Sequence, residues 1–160
     1  MHKSIITGKF VKKTSHEASM EYYPENDKKM DAPMPANMPN TDKEISPEKF
    51  VANLFACRDT VHLLHLNTGS YAAHKALDKM YTKMLGFADS VAEIMQGHMG
   101  IMKFTIPSSH GEHDPVEYVT AFRKGIIEAK KHCKLDEIKN LIDEMADLCS
   151  STMYKLKELK

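Results

Sequence analysis

From Ser46 onward, apolar residues recur at steps of three and four positions in four separate segments of the sequence. Because an α-helix turns once in about 3.6 residues, this spacing places the apolar side chains on one face of a helix. In the second segment the stripe consists of Leu77, Met80, Met84, Ala88, Val91 and Met95. Four such stripes must all be buried, and a bundle of four helices buries them around one core.

Polar residues and glycines predict where the helices begin and end. Ser46 and Asp114 each precede a proline, which fits the first helical position because its missing N–H would be unbonded there anyway. Ser70 suits the N-cap of the second helix, and Gly69 suits a left-handed C-cap of the first. The second helix is expected to run from about residue 71 to residue 96, where Gly97 and Gly100 follow.

The connections between the helices are short, long and short. The first surrounds Gly69, the second covers residues 97–113, and the third is a break near Lys134. Two helical hairpins joined by a long crossover predict an all-α, ferritin-like four-helix bundle over residues 46–160. Residues 1–45 are expected to form an extended, flexible tail, because their proline-rich stretch excludes a helix and has little to bury.

Composition limits the class of protein. The 160 residues suit one domain, and 42% hydrophobic with 28% charged residues is ordinary for a globular protein. Basic and acidic residues are equal in number, unlike a protein built to coat nucleic acid. No apolar run suits a membrane span or a signal peptide. Three widely spaced cysteines form no zinc or redox motif, so a cytoplasmic protein with reduced thiols is expected.

The second helix carries two pairs of potential metal ligands, His74 with Asp78 and Asp89 with Glu93. At about 100° per residue all four share one face, but the pairs are roughly 16 Å apart along the axis. One chain cannot bring both pairs to one metal ion. If two copies of the helix cross antiparallel about a two-fold axis between residues 83 and 84, His74 faces Glu93 of the partner subunit, and Asp78 faces Asp89 of the partner subunit. The spacing therefore predicts a two-fold dimer with two equivalent sites.

Histidines of the first helix complete the predicted site. His62 and His65 lie near its end, where it meets the start of the second helix. Imidazole and carboxylate ligands suit Fe(II), and they also accept Mn or Zn. The alternative is that the acidic side chains are solvated on helix surfaces and that the histidines are surface residues or hydrogen-bonded residues of the core.

The spacing of these residues resembles the motif of the Dps family. The matching residues are Leu64-His65-Leu66-Asn67-Thr68-Gly69, Tyr71, His74, Asp78, Asp89 and Glu93. The resemblance implies a dodecameric shell with ferroxidase sites between two-fold-related subunits, where His and Asp come from one chain and Asp and Glu from the other. It also implies oxidation of Fe(II) by peroxide or O₂ and storage of ferric mineral, with DNA protection as a further function.

The sequence departs from the family pattern at several positions, which indicates a divergent member. Leu66 replaces the family's tryptophan, and Ile94 stands where the family usually has arginine. His65 and His74 are nine residues apart rather than twelve. His62 lies twelve residues before His74, so it is a rival to His65 as the first ligand.

The N-terminal segment suggests partners. Its basic residues are Lys3, Lys9, Lys12 and Lys13. Repeated around a shell, such tails could bind DNA by charge alone, although a solvated tail is the alternative. The alternative function for the whole chain is a non-enzymatic helical oligomer that uses the same fold for assembly and the tail to bind a partner.

Overall fold

The structure, a computed structural model, describes residues 46–108 and 112–159. Within these ranges it contains four α-helices and no strand: α1 (Pro47–Asn67), α2 (Tyr71–Met99), α3 (Pro115–His132) and α4 (Asp136–Glu158). This confirms the prediction of an all-α, four-helix protein. The predicted N-terminal tail and its four lysines lie outside the described residues.

Three helices begin at the predicted N-caps. The side chains that accept hydrogen bonds from backbone N–H groups are Ser46 from Lys49 at 3.4 Å, Ser70 from Ala73 at 3.3 Å and Asp114 from Glu117 at 2.9 Å. Pro47 and Pro115 occupy the first helical turn, as predicted. By contrast, α4 begins after Leu135, which has no side-chain oxygen with which to cap it.

Two helix ends differ from the prediction. α2 continues through Gly97 to Met99 and stops at Gly100, whose φ of 83° lies in the region that favours glycine. The predicted left-handed conformation of Gly69 is wrong, because Gly100 is the only described glycine with a positive φ. α1 ends instead at Thr68 in an extended conformation, with φ −87° and ψ 137°.

The helices form a bundle in which neighbours are antiparallel. α1 lies against α2 and α3, and α4 lies against the same two helices. Phe50 near the start of α1, Met95 near the end of α2, Ala129 near the end of α3 and Ile138 near the start of α4 line one cavity. Since α2 and α3 both finish at this end, the crossover between them must return along the 18 residues of α3, about 27 Å.

The crossover is held to the bundle at its start. The backbone N–H of Met102 donates a hydrogen bond to Oε1 of Gln96 at 3.1 Å, and both Met102 and Phe104 pack against the core. Nε2 of His98 and a carboxylate oxygen of Glu137 are 3.0 Å apart, which ties the end of α2 to the start of α4. The contact between His98 and Glu137 joins opposite ends of α2 and α4, as an antiparallel arrangement of these two helices requires.

The predicted apolar stripes meet in one core. Every residue of the α2 stripe is buried: Leu77, Met80, Met84, Ala88, Val91 and Met95. Cys57 and Cys149 are free thiols inside the core, whereas Cys133 is free and half-buried just after α3. Among the described residues, no helix has the length and hydropathy required to span a membrane.

Candidate functional site

A cluster of histidines lies where α1 turns back into α2. The connection has only three residues, so the end of α1 and the start of α2 are adjacent. The rings of His65 and His74 stack with their centroids 3.8 Å apart, and the ring of His62 lies 6.0 Å from that of His65. The structure therefore brings together all three histidines that the sequence suggested as ligands.

His65 and His74 bind each other's backbone. Nδ1 of His65 lies 2.9 Å from the carbonyl oxygen of His74, and Nδ1 of His74 lies 3.1 Å from the carbonyl oxygen of His65. Because a carbonyl oxygen can only accept, Nδ1 carries the proton in both rings. A neutral imidazole in this tautomer has its lone pair on Nε2. Histidines that ligate metals are commonly held in this way, with the other ring nitrogen donating to a carbonyl.

The hydrogen bond from His74 also caps α1. The last carbonyl groups of a helix have no N–H partner within the helix, and His65 lies in the last turn of α1. The imidazole of His74 supplies the missing donor. This explains why Gly69 does not need the left-handed conformation that normally satisfies such carbonyl groups.

Tyr81 is the part of the cluster that the sequence analysis missed. Its ring stacks on His62 with a centroid distance of 4.2 Å and an angle of 21°. Its edge also meets the ring of His65 at 5.3 Å. The Tyr81 hydroxyl lies near the carboxylate of Asp78 and helps to lower its pKa. The available signal was its position seven residues, or two helical turns, after His74, which places both on one face of α2.

Arg58 of α1 packs beside Tyr81. The guanidinium carbon lies 5.9 Å from the centroid of the Tyr81 ring, within the range of a cation–π interaction. Nη1 of Arg58 pairs with Asp59 at 2.6 Å, while its Nε is buried without a hydrogen-bond partner in the part of the chain that the structure describes. A fixed positive charge thus borders the cluster.

Asp78 provides the negative charge of the cluster. Its carboxylate lies 3.1 Å from Nζ of Lys75. The hydrogen bond from Lys75, together with the nearby Tyr81 hydroxyl, lowers the pKa of Asp78. The carboxylate is therefore ionised at neutral pH, and it would have to release Lys75 to bind a metal ion directly.

Asp89 and Glu93 do not reach the histidines within one chain. Both are exposed on α2, and Asp89 lies eleven residues beyond Asp78, about 16 Å along the helix. In the described ranges, no group of three or more His, Cys, Asp or Glu side chains could hold a metal ion. The outer face between the two acidic positions is open, since Leu85 is 47% exposed and nothing lies within 4 Å of a Cβ placed on Gly86.

The fold and the cluster define an all-helical, four-helix protein with stacked histidines at one end. A family model matches residues 65–156, more than half of the chain. The chain belongs to this family, which is described as a family of unknown function (DUF5856). The matched region begins at His65 and includes α2, α3 and most of α4. No curated protein and no solved structure matches the chain.

Proposed function

We propose that this protein is a divergent, Dps-like ferroxidase and iron-storage protein whose substrate is Fe(II). The observation that carries the proposal is the reciprocal hydrogen bonding of His65 and His74. It leaves the two Nε2 atoms outside these hydrogen bonds, on stacked rings near the ionised Asp78. Neutral imidazole with a neighbouring carboxylate is a ligand set suited to Fe(II), and also to Mn or Zn.

The arrangement of the helices supports a ferritin-like bundle. Its two hairpins, α1–α2 and α3–α4, have three-residue connections, and the crossover between them returns along the bundle. Ferritin-like folds combine these short connections with one long crossover. In this proposal the ligands of one chain come from one helical hairpin rather than from all four helices, so a second chain is needed to complete the site.

A second copy of α2 would supply the missing carboxylates. Crossing antiparallel about a two-fold axis between residues 83 and 84, it would bring Asp89 and Glu93 of the partner subunit to His74 and Asp78. The open face at Leu85 and Gly86 allows close approach of the two helices. Such an isologous dimer contains two equivalent sites. Assembly of these dimers into a dodecameric shell is the further expectation from the Dps resemblance.

The proposed chemistry assigns each residue a separate task. His65 and His74 would bind Fe(II) through Nε2, with His62 as the alternative to His65. The acidic residues offset the additional positive charge of Fe(III), which favours oxidation. Each Fe(II) gives up one electron, and hydrogen peroxide takes up two electrons and two protons to form two water molecules; O₂ is the alternative oxidant. Tyr81 would hold Asp78 in place through its hydroxyl.

Subunit mixing tests the two-chain site. A His65→Ala/His74→Ala chain and an Asp89→Ala/Glu93→Ala chain should each fail to oxidise Fe(II). When equal amounts are unfolded and reassembled together, half of the dimers are hybrids with one intact site of two. About one quarter of the wild-type activity should therefore return. Formation of ferric product is followed by absorbance, and native mass spectrometry establishes the hybrid content.

A matched control is His98→Ala, which changes a histidine at the other end of α2 that pairs with Glu137. It should retain wild-type activity. Inactive hybrids beside an active wild type would show that the two-chain site is wrong. A wild-type protein that neither binds Co(II), used as an Fe(II) probe, nor oxidises Fe(II) would exclude the ferroxidase function altogether.

A non-enzymatic assembly module is the second candidate function. It is favoured by exposed apolar side chains beside the histidine cluster, of which Leu66 is 63% and Tyr71 78% exposed. Apolar exposure of this kind marks interaction surfaces. Sedimentation of a Leu66→Ser/Tyr71→Ser variant tests this idea, which predicts a smaller oligomer than the wild type forms.

DNA binding by the basic residues before Ser46 is an additional part of the proposal. Lys3, Lys9, Lys12 and Lys13 would neutralise phosphates by charge, so binding should weaken steeply with salt. Deleting residues 1–16 should abolish a gel shift at low salt. The idea fails if the intact chain gives no shift under the same conditions.

A further inference from the structure

The end of the bundle opposite the histidine cluster contains a cavity of about 330 Å³. All four helices contribute to it. The apolar residues that line it are Pro47, Phe50, Met95, Met99, Ala129, Leu135, Ile138 and Ile142. This cavity is separate from the candidate metal site, and the proposed function does not use it.

The walls of the cavity are apolar from the core to the surface. Phe50, Ile138 and Ile142 are buried core residues, whereas Met99, which also lines the cavity, is 53% exposed. A water molecule takes up about 30 Å³ in the liquid, and a methylene group is of similar size. The cavity therefore has room for roughly ten methylene groups. The cavity falls at the lower limit of ligand pockets, which begin at about 300 Å³. Its volume and its largely apolar lining suit one alkyl chain.

The ionisable side chains of the lining other than the Cys133 thiol are basic. His132 and Lys134 are among the lining residues, and none of the described lining residues carries a carboxylate. Other cations of this region are already paired, since Lys130 binds Asp143 and Lys139 binds Asp136. Lys134 has no acidic partner within the described part of the chain.

The acids that flank the cavity do not cancel this charge. Asp136 is held by Lys139, and Glu137 lies 3.0 Å from Nε2 of His98. An anionic head group at the mouth would therefore meet an unpaired ammonium group and acids that are already engaged. The complementary ligand has a negative end and an apolar body.

We propose that this cavity binds a straight-chain carboxylate of about ten carbons, with the alkyl chain inside the bundle end and the carboxylate at Lys134. The alkyl chain gains from leaving water, and the gain grows with each methylene group that is buried. The charge pair with Lys134 selects the acid over a neutral amphiphile of the same length.

Cys133 provides a built-in reporter of binding. It lines the cavity and is half-buried, with Sγ donating a hydrogen bond to the carbonyl oxygen of Leu135 at 3.5 Å. Cys57 and Cys149 are inside the core, where burial raises the pKa of both thiols. Neutral iodoacetamide should thus alkylate Cys133 first in the folded full-length chain, and peptide mass spectrometry can measure its rate separately.

Decanoate, kept below its micellar concentration, should slow the alkylation of Cys133 in a saturable manner. Decanol should protect more weakly, because it lacks the charge. Lys134→Met should weaken protection by decanoate about two- to fivefold, the range of a solvent-exposed ion pair, and leave protection by decanol unchanged. The matched control is Lys131→Met, which removes a nearby cation that pairs with Glu128 and does not line the cavity. It should change neither the protection by decanoate nor the protection by decanol.

A second variant tests the cavity itself. Ala129→Phe places a ring in the cavity and should abolish protection by both decanoate and decanol, with folding checked by circular dichroism. The proposal is overturned if decanoate does not change the rate at which iodoacetamide alkylates Cys133 in the full-length chain. This holds both for a cavity that is filled by another part of the chain and for a cavity that binds nothing. It is also overturned if Ala129→Phe is protected as well as the wild type, or if Lys134→Met and Lys131→Met behave alike.

Discussion

Replacing His74 by Phe tests the capping role of its imidazole. The change keeps an aromatic ring beside His65 but removes the Nδ1–H that bonds the His65 carbonyl. That carbonyl lies in the last turn of α1 and has no helical donor. A largely buried acceptor without a partner costs about 1–3 kcal/mol. We therefore expect His74→Phe to lower the free energy of unfolding by about 2 kcal/mol.

The reciprocal change, His65→Phe, is the matched control. The carbonyl of His74 lies inside α2, where it also accepts a hydrogen bond from the backbone N–H of Asp78. Because this carbonyl keeps one donor in His65→Phe, the variant loses only the net contribution of one hydrogen bond to the free energy of unfolding, about 0.5–1.5 kcal/mol. Phe also suits the buried position of His65, which is 7% exposed. Urea unfolding with a chelator at one fixed protein concentration measures both variants. A cost for His65→Phe equal to or above that for His74→Phe would refute the capping argument.

Three further outcomes follow from the burial and capping of single residues. Asp114→Ala should cost about 1 kcal/mol in urea unfolding, because it removes the N-cap bond of α3. Met84→Ala should lower the free energy of unfolding by about 2–5 kcal/mol, because Met84 is fully buried. The matched control is Leu85→Ala at the adjacent position, which is 47% exposed. In chains kept monomeric by dilution, this variant should lower the free energy of unfolding by less than about 1 kcal/mol. Burial raises the pKa of Cys149 to about 12, above the value near 8.5 of an unfolded thiol. The folded state then keeps a proton that the unfolded state loses, so stability should fall as pH rises from about 9 to 12, and Cys149→Ala should flatten this dependence.

The starts of three helices could be predicted because capping is local chemistry. Ser46, Ser70 and Asp114 each bond an N–H group within their own first turn, so the sequence alone contains both partners. The end of α1 could not be predicted in the same way. Its carbonyl is satisfied by His74 of the next helix rather than by a conformation of Gly69. The start of α4 gave only a weak signal, since Leu135 offers no cap.

The meeting of His62, His65 and His74 could be predicted from the sequence, whereas the geometry of their contacts could not. Positions near the end of α1 and the start of α2 must meet across a short connection, which places His65 and His74 together. The exchange of hydrogen bonds between their rings and carbonyls depends on how the two helices are rotated against each other, and sequence spacing does not give this rotation. The ring contacts of Tyr81 with His62 and His65 depend on the same rotation. The contribution of Asp89 and Glu93 stays a prediction, because it depends on a second chain.

The crossover between α2 and α3 makes the bundle an intramolecular complex of two hairpins. Each hairpin forms from contacts close in sequence, and only their docking requires the longer loop to close. A short connection holds the two parts that it joins at an effective concentration of about 1 mM. Cutting the chain at the exposed Thr105 would replace this value with the bulk concentration of the fragments. At about 1 μM, that thousandfold dilution corresponds to about 4 kcal/mol, so docking of the two hairpins in the cut protein would be weaker by this amount and would depend on protein concentration.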